Sequence, residues 1–207
     1  DTCESIVTKN KAVKDFQNFE FELIRFSSMT SPISELDFEK LSEKEITDKL
    51  YEIVTAHYKS KIEKNAVLAY PVIKGVYENE GDRYERIVVP FTDGIKSLQV
   101  VTNLKEAYET QGKSLITDFE KNITLAIIDE NWKEHLRKMD DLKQSVQNAS
   151  YEQKDPLLIY KFEAFELFKL TVDEINKEVL SFLFKGELPN QSVNQISDAR
   201  QTKRERL

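Results

Sequence analysis

The chain has 207 residues, 40% hydrophobic and 32% charged, with a formal net charge of −7 at pH 7. A single cysteine excludes a disulfide framework and a thiolate zinc site, and the acidic balance argues against a general nucleic-acid binder. With only 5 glycines and 5 prolines, the composition favours long helices and few turns. No apolar run approaches about 20 residues, so no membrane span is predicted. The chain begins with Asp rather than Met, and we expect it to be a piece of a longer protein.

Helices are predicted for most of residues 1–81. Apolar residues spaced by three and four indicate a short helix that stops at Ser27, and a weaker pattern follows Ser34. Ser42 and Glu45 fit a capping box that starts a long helix. We expect a break or kink at Pro71, because proline lacks an N–H and its ring clashes with the preceding turn. A further short helix would then end at Gly81.

Residues 86–101 predict a β-hairpin. Two runs rich in β-branched residues, 86–91 and 95–101, flank Asp93-Gly94, a pair that tolerates the positive φ of a tight turn. Pro90 cannot donate to a ladder, so its strand lies at an edge or carries a bulge. An isolated two-stranded hairpin is marginal in water, so we expect helices to pack against it.

Two long helices are predicted in the second half. The first starts at Leu104 and meets no strong breaker until about Ser145, with Gly112 as a mild weakness. In the second, Asp155 supplies an N-cap and Pro156 occupies the first helical position, where an N–H is not needed. The pair forms an antiparallel αα-hairpin. The predicted fold class is mainly α, with one small inserted β-hairpin.

The sequence shows no pattern of catalytic, cofactor-binding or metal-ligating residues. It contains neither GxxxxGK nor GxGxxG, the glycine-rich loops that hold phosphates. His57 and His135 lie on different predicted helices, and neither has a second His or Cys at ligand spacing. We expect a structural or solvent-facing role for His135. The chain is therefore not predicted to be an enzyme by itself.

Three motifs together resemble the two-helix finger of the SecA family of preprotein translocase ATPases. They are WKEHLRKMDDL at 132–142, YEQKDP at 151–156 and YKFEAFELF at 160–168. The resemblance is strong over 120–186. Residues 1–119 are similar to the family's helical wing in order and helical character, with lower specificity.

The resemblance implies a mechanical part of a translocation motor. ATP and Mg²⁺ would bind in nucleotide-binding domains outside this chain, and none would bind here. The implied partners are those missing domains, the SecYEG channel and an unfolded preprotein, at a cytoplasmic location peripheral to the inner membrane. Tyr151 at the finger tip would contact the translocating polypeptide, with Ser150, Glu152 and Gln153 beside it. A structural core would join the two helices through Trp132, Leu136, Met139, Phe162, Phe165 and Phe168.

The same resemblance divides the chain into a wing (1–120), a finger (121–186) and a C-terminal linker (187–207). Residues 65–103, with the predicted hairpin, look like an insertion in the wing. Ala149 and Ser150 stand where the family often has Gly and Arg, and Ile159 stands where it has Glu. No contact of those family residues is therefore carried over.

Two other classes of protein stay open. A free-standing coiled-coil interaction or adaptor protein would also contain a long αα-hairpin, and a metal- or histidine-based enzyme is a more distant alternative. We also expect some self-association of the fragment, through apolar surface that the missing domains would cover.

Overall fold

The computed structural model describes residues 2–148 and 155–189. Over those ranges the chain is mainly α-helical, with one two-stranded antiparallel sheet, which confirms the predicted fold class. The elements in chain order are α1 (Thr2–Val13), α2 (Phe16–Ser27), α3 (Glu35–Lys40), α4 (Glu43–Glu80), β1 (Arg86–Thr92), β2 (Ser97–Asn103), α5 (Leu104–Glu109), α6 (Lys113–Asn148) and α7 (Pro156–Lys185).

Side-chain caps fix the starts of the early helices. Asp15 accepts the N–H of Asn18 at the start of α2, and Ser34 accepts the N–H of Asp37 at the start of α3. The predicted capping box of Ser42 is confirmed, with its backbone N–H donating to the Glu45 carboxylate at 2.9 Å. α1 was not predicted, since its apolar residues are too sparse to give a clear period.

The prediction of a separate helix after Pro71 is wrong, because α4 continues through the proline to Glu80. Proline removes one backbone hydrogen bond and costs about 3 kcal/mol in a helix interior. Ala69 and Ile73, on either side of it, are both buried. Packing of the residues on both sides of Pro71 keeps the helix continuous. α4 then ends before Gly81, as predicted.

The structure confirms the predicted β-hairpin. Val88 pairs with Val101 and Pro90 with Gln99. Ile95 lies in the turn rather than in the second strand, which begins at Ser97. The buried ring of Phe91 packs at 4.3 Å from that of Phe119 on α6. This contact supplies the helical support that a two-stranded sheet needs.

A turn at 110–112 divides the long helix that was predicted from Leu104 into α5 and α6. Gln111 has φ +53° and Gly112 has φ +87°, which is left-handed backbone that ends a helix. A Cβ on Gly112 would lie 2.7 Å from the carbonyl oxygen of Ala66 on α4. The glycine is thus required by both its backbone conformation and the neighbouring helix, which sequence spacing did not reveal.

The described residues form two compact units, 2–123 with 180–189, and 124–148 with 155–179. In the first unit, a cluster of buried side chains is drawn from α1, α2, the segment before α3, α3, α4 and the last turn of α7. Its members are Val7, Phe19, Leu23, Phe26, Ile33, Phe38, Ile46, Leu50, Val54 and Phe184.

The last turn of α7 is held within this first unit. Lys61 Nζ on α4 donates to the carbonyl of Phe184, and Asn65 Nδ2, one turn further on, lies 3.3 Å from the carbonyl oxygen of Gly186. Thr92 and Glu187 exchange two backbone hydrogen bonds of 2.9 Å. Glu187, assigned by the sequence to the linker, is therefore paired with β1.

Gly112→Ala should destabilise the chain by at least about 1 kcal/mol, because alanine resists positive φ and its Cβ would meet the Ala66 carbonyl. The control is Gly75→Ala in the C-terminal part of α4, where a new Cβ meets nothing within 4 Å. That change should gain up to about 1 kcal/mol from helix propensity. Urea unfolding measures both, and equal effects would contradict the assignment.

The free energy of unfolding should rise between pH 8 and 10 through Lys61. Burial lowers the pKa of this ammonium from 10.5 to about 8, against the opposing pull of Glu187. Between these values the unfolded chain binds more protons than the folded chain, so stability grows with pH. Urea unfolding at each pH should show a smaller rise for Lys61→Met. The exposed control Lys64→Met should keep the full rise, and identical slopes in all three proteins would refute the assignment.

Candidate functional site

The second unit is an antiparallel hairpin of α6 and α7. Asp155 Oδ1 accepts the N–H of Leu157 at 2.9 Å, and Pro156 is the first residue of α7. Three side-chain pairs join the two helices along one seam. They are Asn131 with Glu178 at 2.7 Å, His135 with Thr171 at 3.0 Å and Lys138 with Glu174 at 4.0 Å.

The pair of His135 and Thr171 is the buried centre of this seam, with exposed fractions of 5% and 3%. The Thr171 hydroxyl lies 2.9 Å from the carbonyl oxygen of Leu167 and 3.0 Å from Nδ1 of His135. A carbonyl oxygen can only accept, so the hydroxyl donates its one proton there. Its oxygen then accepts from Nδ1–H, which fixes the histidine tautomer. This agrees with the structural role expected of His135.

The aromatic rings of Trp132 and Phe168 pack beside the His135 ring. The Trp132 ring lies 4.9 Å from that of His135, and the Phe168 ring stands edge-on to Trp132 at 6.5 Å between centroids. The centroids of His135 and Phe168 are 6.1 Å apart. Edge-to-face arrangements of this kind are favourable for aromatic rings. The cluster thus combines one buried hydrogen-bonded histidine with two aromatic side chains at its rim.

Most of the aromatic face predicted to form the core of the hairpin is exposed. Phe168, Phe165 and Phe162 are 45%, 62% and 66% exposed, in that order. At about 100° per residue, a spacing of three moves each of them about 60° further from the direction of Thr171. Two helices bury one narrow strip between them, so the phenylalanines turn progressively away from it. Trp132 and Leu136 are also exposed, and Met139 is half-buried.

The predicted finger tip lies outside the described residues. It comprises Tyr151, Ser150, Glu152 and Gln153. Sequence reasoning missed Asn131 and Thr171, which the structure places in the seam. Their signal was weak, since each is one polar residue within a long helical pattern.

Within residues 2–148 and 155–189, no group of three or more His, Cys, Asp and Glu side chains is placed to hold a metal ion. Over the same ranges, none of the helices combines the length and apolar character needed to span a bilayer.

The chain combines a helical unit that carries a small β-hairpin with an antiparallel αα-hairpin whose aromatic side chains are exposed. These features define a helical scaffold module. The chain belongs to the SecA family, since the sequence model of the SecA wing and scaffold domain matches residues 1–187. This confirms the resemblance seen in the sequence.

Curated relatives of this chain are named protein translocase subunit SecA. The one from Flavobacterium psychrophilum is 64% identical over 201 residues, which cover 97% of this chain. The one from Christiangramia forsetii is 61% identical over 203 residues, covering 98% of this chain, and that from Parabacteroides distasonis is 46% identical over 189 residues, covering 91%. The aligned regions make up 18%, 18% and 17% of these relatives.

Thr171→Val should destabilise the chain by about 1–3 kcal/mol, because it keeps the side-chain shape and leaves the buried Nδ1–H of His135 without an acceptor. Thr171→Ser is the matched control, which keeps the hydroxyl and loses one methyl group, at about 1 kcal/mol. Thermal and urea unfolding compare the two variants. A serine variant less stable than the valine variant would refute the hydrogen-bond assignment.

Proposed function

We propose that this chain is the mechanical, polypeptide-contacting and scaffold part of a SecA translocase, acting with the SecYEG channel in ATP-driven preprotein export. The observation that carries the proposal is the family match over residues 1–187, together with the motifs at 132–142 and 160–168, which fall on the two helices of an antiparallel hairpin. The hairpin would reach the channel and Tyr151 would touch the moving polypeptide. The translocase would be cytoplasmic and peripheral to the inner membrane.

The seam of the hairpin supports a lever role. A rod transmits displacement only when its two helices keep their register. The hydrogen bonds of Asn131 with Glu178 and of His135 with Thr171 each fit one register only. Slipping α7 by one residue would leave the buried His135 nitrogen unpaired, at a cost of about 1–3 kcal/mol.

The exposed aromatic face supports a scaffold role. Phe162 and Phe165 leave large apolar areas uncovered in this chain, and exposed apolar patches mark surfaces that meet other protein. We propose that this face packs against other parts of the translocase. Without those parts, the same face would drive self-association of the chain.

We further propose that ATP and Mg²⁺ bind to nucleotide-binding domains elsewhere in the translocase and not to this chain, which would then have no catalytic activity of its own. The proposal is supported by the sequence, which has only 5 glycines and no glycine-rich phosphate loop. A free-standing adaptor is disfavoured by the match with translocase subunits over 97% of the chain.

In a complete translocase that contains this chain, Tyr151→Ala should lower preprotein transport by about tenfold, because it removes the ring that would contact the polypeptide. ATP hydrolysis without preprotein should stay near its original rate. Transport into membrane vesicles and phosphate release measure the two quantities.

The matched control is Tyr51→Ala, which removes a tyrosine that is exposed on α4. It should leave transport unchanged. Full transport by the Tyr151 variant, or an equal loss in both variants, would overturn the role proposed for the tip.

A further inference from the structure

One edge of the two-stranded sheet is open. β1 pairs with β2 on one side, and Glu187 closes its other side at Thr92. Among residues 2–148 and 155–189, no strand pairs with the outer edge of β2. An unpaired strand edge presents backbone N–H and C=O groups on which another strand can add. The outer edge of β2 is therefore a site for one further strand.

The hydrogen-bond pattern shows which residues of β2 face that edge. Thr92 exchanges two backbone hydrogen bonds of 2.9 Å with Glu187, so its N–H and C=O point away from β2. Thr92 lies opposite Ser97, and the direction of the backbone groups alternates along an antiparallel strand. Ser97, Gln99 and Val101 therefore direct their backbone N–H and C=O groups to the open edge.

This edge lacks the features that prevent pairing between proteins. Charged side chains, prolines and bulges block the exposed edges of natural sheets. Residues 97–104 contain no charged residue and no proline, in a chain that is 32% charged. All seven residues of β2 pair with β1 in one unbroken register, so the strand carries no bulge. Nothing in the sequence of this strand opposes the addition of another.

The strand is complementary to a second copy of itself. In a symmetric dimer the same patch meets on both sides, so a charged strand would be repelled by its own copy. A two-fold axis at Val100, the middle residue of β2, pairs Ser97–Asn103 over its whole length. It places Gln99 opposite Val101 of the second copy. Both residues direct backbone groups to the edge, so each such pair exchanges two hydrogen bonds.

The pairing also enlarges a sheet that is small. Two strands are marginal in water, whereas three or more strands with an apolar face are stable. Two copies of the hairpin make four strands, and the buried Val100 of one copy lies opposite that of the other. A second copy is favoured over an unrelated extended peptide because it brings a strand that is already ordered and loses little conformational entropy.

We propose that two copies of this chain associate through the open edge of β2, forming a four-stranded antiparallel sheet about a two-fold axis at Val100. The contact consists of backbone hydrogen bonds with a small buried area, so the dimer is weak. The edge belongs to the first unit and contains no residue of the exposed aromatic face. The inference does not rest on the function proposed above.

Charge substitutions at Gln99 and Val101 test the pairing. All proteins carry Phe162→Ser and Phe165→Ser, which lower association through the aromatic face. Lysine at both 99 and 101 puts like charges opposite each other, and should raise the dimer Kd about fivefold or more. Gln99→Lys with Val101→Glu puts opposite charges there, and should return the Kd to that of the unaltered strand or below it. Sedimentation equilibrium of the 207-residue chain measures each Kd.

The matched control is Val67→Lys with Leu68→Lys in the same background. These two residues are 70% and 66% exposed on α4, so the substitutions add the same charge away from the edge. The control should leave the Kd of the dimer unchanged.

Cysteine cross-linking tests the direction and register of the strands. In chains with Cys3→Ser, Gln99→Cys is mixed with Val101→Cys under oxidised glutathione. Residues 99 and 101 lie opposite each other only across the antiparallel two-fold pair. The disulfide between the two different variants should therefore form about fivefold faster than either disulfide between identical chains, because a disulfide requires a short Cα–Cα distance.

Each of several outcomes would overturn the proposal. One is a chain with Phe162→Ser and Phe165→Ser that stays monomeric up to about 1 mM. A monomeric chain that binds a carboxymethylated, unfolded polypeptide through Gln99 and Val101 would make a foreign strand the occupant. Equal Kd values for the two charge variants, or faster cross-linking of identical chains, would also exclude the two-fold pairing. None of these results bears on the hairpin or on its proposed function.

Discussion

The last turn of α7 leaves carbonyl groups that no residue of its own helix can satisfy. Lys61 and Asn65 on α4 supply donors for the carbonyls of Phe184 and Gly186, and β1 pairs with Glu187 immediately beyond. A cation near the negative end of a helix dipole is favourable, although burial opposes the charge of Lys61. The last turn of α7 is thus held within the first unit through its backbone.

The β-hairpin is stabilised by its contacts with the end of α7, and it stabilises that end in turn. Two strands alone are marginal in water. Here Phe91 is covered by Phe119, and the outer edge of β1 is closed at Thr92 by the chain that leaves α7. Because Phe119 also lies 6.4 Å from the ring of Phe182, the insert and the end of α7 share one apolar contact. The β-hairpin is therefore part of the buried core of the first unit.

Local signals in the sequence predicted most of the fold. Capping at Ser42 and the Asp93-Gly94 turn depend on neighbours within a few residues, so their geometry follows from the sequence directly. Gly112 and Pro71 depend on distant packing, on the Ala66 carbonyl in one case and on buried flanks in the other. The spacing of three between phenylalanines was taken for a buried face, although such a row winds around the helix.

A seam of polar contacts beside an exposed aromatic face fits the lever and scaffold roles proposed for the hairpin. Apolar contacts between two helices tolerate sliding, whereas a hydrogen bond such as that of His135 with Thr171 is lost by a shift of one residue. The register of α7 against α6 is therefore set by side chains of the hairpin itself. The phenylalanines then stay exposed on the hairpin. Covering their apolar area with further protein would contribute favourable free energy. Their exposure follows from the spacing of three, which carries the row of phenylalanines around α7 and away from the seam.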